Sequence, residues 1–553
     1  MKMKAEMITA TNFIEDAINS DIQEQKIPFH IQTRLPPEPS GYLHIGHAKN
    51  IFINAGIAQK YNGLCNLRFD DTNPTKEKNE YVESIKEDIK WLGYDWHIEC
   101  YASAYFDKTY ELAEKLIQDG KAYVDDLTID EIREYRGTLT EAGKDSPYKT
   151  RTIEENLDLF RRMKNGEFKE GEKVLRAIID MSSPNINMRD PVIYRIKFAH
   201  HHQTGDEWCI YPMYDFAHPI GDAIEEITHS LCDLAYEAHR PLYDWVVEAC
   251  GFEHKPRQIE YAKLFLKGAI LGKRNLRKLV DSGFVDGWDD PRLMTLAGLR
   301  RRGVTPKIIK NFLEEAGVSK SNSLTEMSMF EYFIREEYNQ SADRTMAVLR
   351  PLKVIIDNFP EGHSEDCEIE VNPNVENPIT RTVPFTKEIY VEAEDFSLEP
   401  PSKFFRLKIG GEVRLKGAYI VKCESVEQDE NGCVTAVHCT YDKDTKSGNS
   451  NSTKKVKGVI HWISSEFCKT ATVNIYDKLI DGQFDESAED IFEQLNEDTK
   501  TVLTNSLVEK NIDANPSKTY QFMRNGYFTS DNNSNDENPI FNLTVLLKDN
   551  KKK

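Results

Sequence analysis

The motif H-x-G-H at residues 44–47 places two imidazoles on either side of a glycine, directly after a proline-rich turn. Gly41 and Gly46 have the spacing of a P-loop, but His47 and Ala48 stand where that motif requires lysine and then serine or threonine. The first turn of a helix has unpaired N–H groups and a dipole that attract an anion, and the imidazoles add donors there. We therefore expect a phosphate-binding turn, in which Gly46 leaves room for a flat group such as an adenine ring.

The elements on either side of this motif would place it in a parallel α/β sheet. The stretches 29–34 and 64–71 have the short apolar pattern of strands, and 42–61 between them has the length and apolar spacing of a helix. A further helical pattern at 80–96 continues the alternation. The sequence therefore predicts a doubly wound sheet, with the motif at the mouth of the helix that follows the first strand.

Later parts of the chain have different patterns. Residues 104–213 combine turn signals with short strands, which indicates a domain inserted into the sheet. Helical segments return at 263–341, among them a helix predicted to be capped by Thr305. Over 342–553 the apolar alternation has period two, with a two-residue hairpin turn expected at 431–432, and this pattern is typical of β-barrels.

The composition limits the class of protein. A chain of 553 residues exceeds a single core, so about two to four domains are expected. No apolar run approaches the ~18 residues that cross a bilayer, and the N-terminus does not have the pattern of a signal peptide. The ten cysteines include no C-x-x-C pair for zinc. We expect a cytoplasmic protein that has no membrane partner and no structural metal.

The formal net charge of −21 disfavours a polyanionic partner, because the long-range field would repel nucleic acid. Basic residues nevertheless cluster along the chain. With a Debye length of ~8 Å at physiological salt, a basic face can bind phosphates while acidic surface elsewhere is screened. The basic clusters are 272–278, 298–303, 403–416 and 453–458.

Several blocks of the sequence resemble those of the class I aminoacyl-tRNA synthetases, specifically the glutaminyl-tRNA synthetases. The block RLPPEPSGYLHIGHAKN is similar to the HIGH region of that family. The resemblance runs from about residue 27 to 530, with the blocks in the family's order. The later blocks include NLRFDDTNPTKE, REYRGTLT, EEITHSLC and GWDDPRLMTLAGLRRRG.

The resemblance implies ATP-dependent activation of L-glutamine to an adenylate and transfer of the glutaminyl group to the 3′ end of tRNA(Gln), with release of AMP and pyrophosphate. ATP with Mg²⁺ is the expected substrate, and a monomer is expected. An α-carboxylate is ionised at neutral pH, so it can attack the α-phosphate without a general base. The protein must then supply positive charge and positioning around the developing pentavalent phosphate.

The resemblance also implies a fold class. This is an α/β Rossmann-type catalytic domain with an inserted acceptor-binding domain, a helical connecting subdomain and a C-terminal all-β, two-barrel anticodon-binding region. The expected domains are the catalytic domain at 1–103 and 214–262, the acceptor-stem-binding domain at 104–213, the helical subdomain with the KMSKS-like loop at 263–341, and the anticodon-binding barrels at 342–553.

Catalysis is assigned by the resemblance to His44, His47 and Lys273. The stretch that matches the family's KMSKS loop is ILGKRN, in which Gly272 replaces the usual serine and Leu271 the usual methionine. The lost hydroxyl could remove a hydrogen bond of about 1–2 kcal/mol, or the glycine could present its backbone N–H instead. The residues expected to bind ATP are Glu38, Pro39, Ser40, His44, Gly46, His47, Asp233, Lys263, Leu264, Leu271, Gly272 and Lys273.

The amino-acid pocket distinguishes glutamine from glutamate. By resemblance, Asp70 binds the α-amino group, Arg34 binds an oxygen of the amino acid, and Tyr214 with Gln258 surrounds the side-chain amide. Glutamate-specific relatives have an arginine at the position of Cys232. Burying an unpaired carboxylate is far more costly than burying a hydrogen-bonded amide, so the cysteine favours glutamine.

On the tRNA side, Leu139 matches the family residue that separates the first base pair of the acceptor stem, which an apolar side chain can do by replacing stacking. Ala238 stands where several members have an acidic residue that reads the acceptor minor groove, so this sequence departs from the family pattern there. Phe405 replaces a lysine of other members and could stack on a base or fill a barrel. The residues expected to hold the anticodon are Arg344, Arg406, Arg414, Lys416, Gln521 and Arg524.

Three other functions remain open from the sequence. One is a glutamate-charging or non-discriminating relative, and another is a tRNA-binding paralogue with impaired catalysis, which the LGKRN stretch and Ala238 suggest. A small nucleotidyltransferase would share H-x-G-H, but it would leave the β-rich region of about 200 residues unexplained.

Overall fold

The structure is a computed structural model that describes residues 6–27, 30–75, 77–449 and 454–548. The chain forms two compact units. The first consists of Met1–Phe265 and Leu313–Thr325, and the second consists of Leu266–Phe312 and Glu326–Lys553. Within the described ranges, no helix is long and apolar enough to cross a membrane.

The first unit begins with alternating helices and strands. The strands β1, β2 and β3 pair in parallel in that order, with Arg34 opposite Asn66. The strand predicted from residue 29 begins at Gln32, and residues 28 and 29 lie outside the described part of the chain. The elements are α1 (Phe13–Gln23), β1 (Gln32–Leu35), α2 (Ile45–Lys60), β2 (Leu64–Phe69), α3 (Asn79–Trp91) and β3 (Glu99–Tyr101).

The segment predicted to be an insertion forms an antiparallel sheet of four strands with helices packed on it. The sheet has the order β4-β5-β6-β7, and its apolar core includes Phe106, Phe160 and Tyr194. The elements are α4 (Phe106–Gln118), β4 (Ala122–Asp125), α5 (Ile129–Arg136), α6 (Ile153–Lys164), β5 (Val174–Ala177), β6 (Val192–Ile196) and β7 (Ile210–Pro212).

The chain then returns to the parallel sheet with α7 (Tyr214–Ile224), β8 (His229–Asp233), α8 (Arg240–Cys250) and β9 (Arg257–Tyr261). Strands β8 and β9 pair in parallel, and β8 runs beside β1, since the Thr228 N–H donates to the Gln32 carbonyl oxygen over 2.9 Å. The strand order is therefore β3-β2-β1-β8-β9. The order reverses between β1 and β8, and ligands of open α/β sheets bind at such a switch point.

Short helices connect this sheet to the β-rich region. The helix predicted after Thr305 is confirmed, because the Thr305 hydroxyl accepts the Ile308 N–H and Gly317 has a left-handed φ of 68° just past the end. The elements are β10 (Leu264–Leu266), α9 (Lys273–Asp281), α10 (Leu296–Arg301), α11 (Pro306–Ala316), β11 (Ser323–Thr325) and α12 (Met327–Ser341).

The C-terminal region consists of two barrel-like sheets of seven strands each, with the orders β12-β25-β26-β27-β23-β24-β13 and β21-β18-β19-β20-β14-β17-β22, and a separate hairpin β15-β16. The strands are β12 (Asp343–Thr345), β13 (Ala347–Val348), β14 (Pro351–Ile356), β15 (Glu365–Glu370), β16 (Thr380–Phe385), β17 (Glu388–Glu392), β18 (Glu412–Leu415), β19 (Ile420–Gln428), β20 (Val434–Asp442), β21 (Val459–Ile460), β22 (Ile463–Ser464), β23 (Cys468–Tyr476), β24 (Lys500–Glu509), β25 (Thr519–Phe522), β26 (Gly526–Ser530) and β27 (Ile540–Leu546).

Each sheet has its own apolar core, because alternate residues point inward. Along β14 burial alternates residue by residue, as expected for a strand with one face in a core. The β19–β20 hairpin differs from the prediction of a two-residue turn. Its loop occupies residues 429–433, since the Asp429 carboxylate accepts the N–H groups of Asn431 and Cys433 and holds a wider turn.

Candidate functional site

The H-x-G-H motif forms the N-terminus of α2. His44 is the N-cap, and its Nδ1 accepts the Gly46 N–H over 3.0 Å, while its own N–H donates to Nδ1 of His47 over 3.1 Å. A neutral imidazole has one accepting nitrogen and one N–H, so both rings carry their proton on Nε2. With the ring centroids 3.8 Å apart, the two histidines place two N–H donors beside the helix N-terminus, where the dipole favours a phosphate.

Gly46 lies directly against the imidazole of His44. A Cβ at this position would lie 2.8 Å from Cε1 and 2.9 Å from Nδ1 of His44. The space above the glycine is therefore occupied by the His44 ring, and the glycine allows that ring to fold back over the helix. The expectation that Gly46 leaves room for an adenine ring stays a prediction, and the structure adds that this glycine accommodates the His44 imidazole.

The turn before α2 is fastened to the end of β2. The Asp70 N–H donates to the Pro37 carbonyl, and the Lys78 N–H donates to the Pro39 carbonyl. Pro39 and Ser40 are buried, whereas Glu38 is half-buried and its charge contributes to raising the pKa of Asp70. The predicted nucleotide turn and the predicted ammonium-binding carboxylate are thus neighbours.

Carboxylates concentrate at this corner of the site. Burial, then the charges of Asp71 and Glu38, raise the pKa of Asp70 to about 6. Burial, then the charges of Asp71, Asp70 and Glu38, raise the pKa of Glu77 to about 9. Glu77 was not recognised from the sequence, and its position four residues after Asn73, whose N–H it accepts, is too common a pattern to have singled it out. A cationic ligand such as an α-ammonium group would relieve this charge crowding.

The cluster Asp71, His201 and His202 has residue types that bind metals, and suitable atoms lie within 4.8 Å of one another. His201, however, donates from Nε2 to the Asp71 carbonyl and accepts the N–H groups of Gln203 and Thr204 at Nδ1. The Asp71 carboxylate accepts the N–H and hydroxyl of Ser103. Hydrogen bonds occupy both nitrogens of His201, so these contacts favour a structural role in joining β2 to the inserted segment.

Arg34, predicted to bind the amino acid, is fully buried at the end of β1. Its guanidinium donates to the Asp222 carboxylate over 3.0 Å, to the Leu231 carbonyl over 3.0 Å and to the Ser230 hydroxyl over 2.9 Å. Burial would raise the pKa of Asp222, but the charges of Arg34, His218 and Arg68 hold that pKa well below its usual range. Arg34 therefore serves first as part of a buried ionic network.

The other predicted glutamine-binding residues surround this network. Tyr214 stacks on His218 with ring centroids 4.9 Å apart and lies 5.3 Å from the ring of Tyr236. Burial raises the pKa of Tyr214, and the charges of Tyr236, Asp70 and Cys232 raise it further, whereas the charge of Arg34 lowers it. Asp70 and Tyr214 line one small cavity with Arg68 and His218.

Cys232 and Gln258 lie on the neighbouring strands β8 and β9 and are both buried. Burial raises the pKa of the Cys232 thiol, so this side chain is neutral. The Gln258 amide nitrogen donates to Glu260 over 2.9 Å and to the Tyr236 carbonyl over 3.2 Å. The structure thus gathers Asp70, Tyr214, Cys232 and Gln258 around one end of the sheet.

The remaining predicted ATP residues are divided between the units. Asp233 ends β8, caps the following turn at the Ala235 N–H and lies 3.4 Å from the Lys263 ammonium. Lys263 and the buried Leu264 belong to the first unit, whereas Leu271, Gly272 and Lys273 belong to the second.

The glycine that departs from the KMSKS pattern has a local explanation. Gly272 is the N-cap of α9, and its carbonyl accepts the N–H groups of Asn275 and Leu276. A Cβ at Gly272 would lie 3.1 Å from a carboxylate oxygen of Glu486. A serine at this position would require that carboxylate to move, so the glycine fits the packing of this loop.

Leu139 is 77% exposed and lies in the loop that follows α5, which Arg189 holds in place. One guanidinium nitrogen of Arg189 donates to the carbonyls of Arg136, Thr138 and Glu141 over 2.7–2.8 Å. Ala238 is exposed, and its carbonyl accepts the side-chain amides of Asn185 and Asn187. The loop therefore presents the Leu139 side chain to solvent.

Four of the predicted anticodon residues line one cavity in the β-rich region: Arg344, Lys416, Gln521 and Arg524. Arg344 and Gln521 are opposite each other on β12 and β25. Arg524 forms a bidentate pair with the buried Asp395. An adjacent cavity shares Arg524 and is lined by Arg406 and Phe405, with the Lys457 ammonium 5.1 Å from the Phe405 ring.

Arg414 does not line either cavity. Its guanidinium donates to the carbonyls of Ala418 and Thr445 and to the Ser447 hydroxyl. These bonds fasten the turn after β18 to the segment after β20. The contacts of Arg414 are those of a residue that supports the barrel, in contrast to the four that line the cavity.

A parallel sheet with a helix N-terminus at its switch point is typical of nucleotide-binding α/β proteins. A family model described as tRNA synthetases class I (E and Q), catalytic domain, matches residues 30–340. Two models described as tRNA synthetases class I (E and Q), anti-codon binding domain, match residues 342–442 and 459–531. The chain belongs to this class I tRNA synthetase family of the E and Q type, which confirms the predicted fold class.

Curated relatives match over nearly the whole chain. The glutamine–tRNA ligase of Clostridium perfringens is 56% identical and that of Clostridioides difficile is 55% identical, each over 98% of this chain and 98% of the relative. The glutamine–tRNA ligase of Clostridium kluyveri is 53% identical over 98% of this chain and 97% of the relative.

Proposed function

We propose that this protein ligates L-glutamine to tRNA(Gln) through a glutaminyl-adenylate, using ATP and releasing AMP and pyrophosphate. The observation that carries the proposal is the neutral, buried Cys232 on β8, beside Gln258 and Tyr214. A slot without an unpaired cation favours a carboxamide over a carboxylate. The names of the relatives, which are glutamine–tRNA ligases, agree with this substrate.

The buried Arg34 favours a glutamate-charging enzyme, since its charge reaches Cys232. Its guanidinium, however, is paired with Asp222 at 3.0 Å. Glu260 also lies opposite Cys232 in the β8–β9 register and adds negative charge there. A substrate carboxylate would meet a neutralised arginine and a like charge, so glutamine is preferred.

The first step follows from the groups at the switch point. The ionised α-carboxylate of glutamine attacks the α-phosphorus of ATP, so no general base is needed. The Nε2–H groups of His44 and His47 donate to phosphate oxygens, together with the N-terminal dipole of α2. Asp70 pairs with the α-ammonium group. Mg²⁺ accompanies ATP as part of the substrate, and Lys273 is the expected mobile lysine of the second signature.

The same proposal assigns the tRNA contacts. Leu139 is expected to separate the first base pair of the acceptor stem, and the cavity with Arg344, Lys416, Gln521 and Arg524 is expected to receive anticodon bases. The domain at 104–213 then binds the acceptor stem, the subdomain at 263–341 carries the lysine loop, and the barrels at 342–553 bind the anticodon. We propose a cytoplasmic monomer without a structural metal.

Aminoacylation of tRNA(Gln) with glutamine and glutamate side by side tests the proposal. We expect a higher kcat/KM with glutamine, and we expect Cys232→Arg to shift the preference toward glutamate by supplying the missing cation. Cys433→Arg, at an exposed cysteine, is the control for adding an arginine elsewhere in the chain. Cys250→Arg is unsuitable because Cys250 is buried in a core. Equal charging of both amino acids by the wild-type protein would contradict the proposal.

A further inference from the structure

We propose that Glu260 is a specificity-determining residue that acts through Gln258. Its carboxylate orients the Gln258 carboxamide so that an oxygen acceptor, and no N–H donor, faces the side chain of the amino acid. Such a site accepts the N–H groups of a carboxamide and rejects a carboxylate. The inference rests on the proposed function, because it takes Gln258 to line the glutamine slot.

The strand places these residues on one face. Gln258 and Glu260 are two residues apart on β9, so their side chains lie on the same side of the sheet. Ser230 and Cys232 of β8 are their partners in the parallel register. The alternate residues of the two strands, Leu231, Ile259 and Tyr261, belong to the apolar cluster on the opposite face.

The orientation of the Gln258 amide follows from the chemistry of its partners. Its two hydrogen bonds go to a carboxylate oxygen of Glu260 and to the backbone carbonyl of Tyr236. Both partners are acceptors, so the amide nitrogen must face them and both of its hydrogens are used. The carbonyl oxygen of Gln258 is then the group left to face a substrate.

Glu260 is well placed to hold this orientation. It is 7% exposed, and the Arg240 guanidinium pairs with both of its carboxylate oxygens, at 3.0 and 2.9 Å. Arg240 lies in the first turn of α8 and is half-exposed. The Arg240–Glu260 ion pair therefore extends from the buried Gln258 to the protein surface. An ion-paired carboxylate held from two directions leaves the Gln258 amide little freedom to turn.

The arrangement discriminates between the two amino acids by what each can donate. The carboxamide of glutamine has N–H groups for the Gln258 oxygen. The carboxylate of glutamate has only acceptors, and it would meet that oxygen and the charge of Glu260 beside a neutral Cys232. Sites built to hydrogen-bond a substrate group reject the analogue that lacks it far more strongly than sites that only measure size.

The test compares kcat/KM for glutamine and for glutamate in aminoacylation of tRNA(Gln). Glu260→Gln can donate as well as accept, so the Gln258 amide is free to turn. We expect the glutamine-to-glutamate ratio to fall by about 10- to 100-fold. Arg240→Gln removes the ion pair but keeps the carboxylate that accepts the Gln258 amide, so its ratio should fall by less than that of Glu260→Gln.

A double-mutant cycle with Gln258→Leu separates positioning from a general structural effect. If Glu260 acts through Gln258, Glu260→Gln has no further effect on the ratio in the Gln258→Leu background. An unchanged ratio in Glu260→Gln, or an equal fall in both backgrounds, would overturn the proposal. If Glu260→Gln does not fold, Glu260→Asp replaces it in the same cycle, because it keeps a charge for Arg240 but withdraws from Gln258. A wild-type protein that charges no glutamine would instead overturn the proposed function.

Discussion

Asp222 joins two arginines from different strands, because one of its carboxylate oxygens accepts both Arg34 of β1, at 3.0 Å, and Arg68 of β2, at 2.5 Å. All three side chains are at least 97% buried. The Tyr243 hydroxyl donates to the second oxygen over 2.9 Å. His218, which stacks on Tyr214, also contacts Arg34 over 3.0 Å, so the network supports one side of the predicted amino-acid pocket.

Replacing Asp222 by asparagine removes the carboxylate that pairs with the buried Arg34, whereas Arg68 keeps its pair with Glu225 at 2.9 Å. Removing one partner of a buried ion pair costs about 3–5 kcal/mol, so we expect the urea midpoint of unfolding to fall accordingly. Asp130→Asn, which breaks an exposed pair with Arg133, is the control and should change stability by less than about 1 kcal/mol. A midpoint for Asp222→Asn equal to that of the control would show that the pair is not structural.

His44→Asn separates the two roles of His44. Asparagine is a good N-cap, so the helix and the stability of the protein should be preserved. The variant lacks the Nε2–H that is expected to donate to phosphate, and we expect kcat for aminoacylation to fall by about 10²-fold. The check is a steady-state assay alongside thermal unfolding. Loss of stability with unchanged kcat would assign His44 to helix capping alone.

Glu77 should make stability depend on pH between about 5 and 9. Burial raises the pKa of Glu77 from 4.5 to about 9, so in this range the unfolded chain releases a proton that the folded protein retains. The free energy of unfolding therefore has its full contribution from protonated Glu77 below pH 4.5. As the pH rises from 4.5 to about 9, this contribution is lost by up to about 1.4 kcal/mol per pH unit.

Glu77→Gln mimics the protonated side chain and should remove this slope. Unfolding free energies measured at several pH values between 5 and 8 provide the check. Glu80→Gln, at an exposed position three residues later, should leave the slope as in the wild type. A Glu77→Gln variant with the full wild-type slope would mean that Glu77 is ionised in the folded protein.

Leu139→Ala should lower the rate of tRNA charging by about tenfold, because the methyl group left cannot replace the stacking of the first base pair. The leucine is 77% exposed, so stability should not change. A tRNA whose first acceptor pair is mismatched needs no separation, and it should restore most of the rate to the variant. If the mismatched tRNA gives no recovery, Leu139 does not act as a wedge.

Much of the fold was readable from local patterns in the sequence. The strand–helix–strand unit around the H-x-G-H motif, the capped helix at Pro306–Ala316 and the period-two strands of the C-terminal region all depend on residues near one another in the chain. The histidines were also found in this way, since an N-cap and its third helical residue are neighbours by helix geometry. The predicted two-residue turn at 431–432 was wrong although its cause is also local, because the Asp429 carboxylate accepts the Asn431 and Cys433 N–H groups and holds a wider loop.

The tertiary structure decided which polar groups share a buried space. Arg34 and Asp222 are 188 residues apart, and Asp71 and His201 are 130 residues apart, so no periodicity connects them. The orientation of Gln258 depends on the Tyr236 carbonyl, a backbone atom that has no signature in the sequence. The short spacing of the H-x-G-H residues was enough to find the turn before α2 in the sequence. Burial and hydrogen bonds between distant strands instead keep the Cys232 thiol neutral and orient the Gln258 amide.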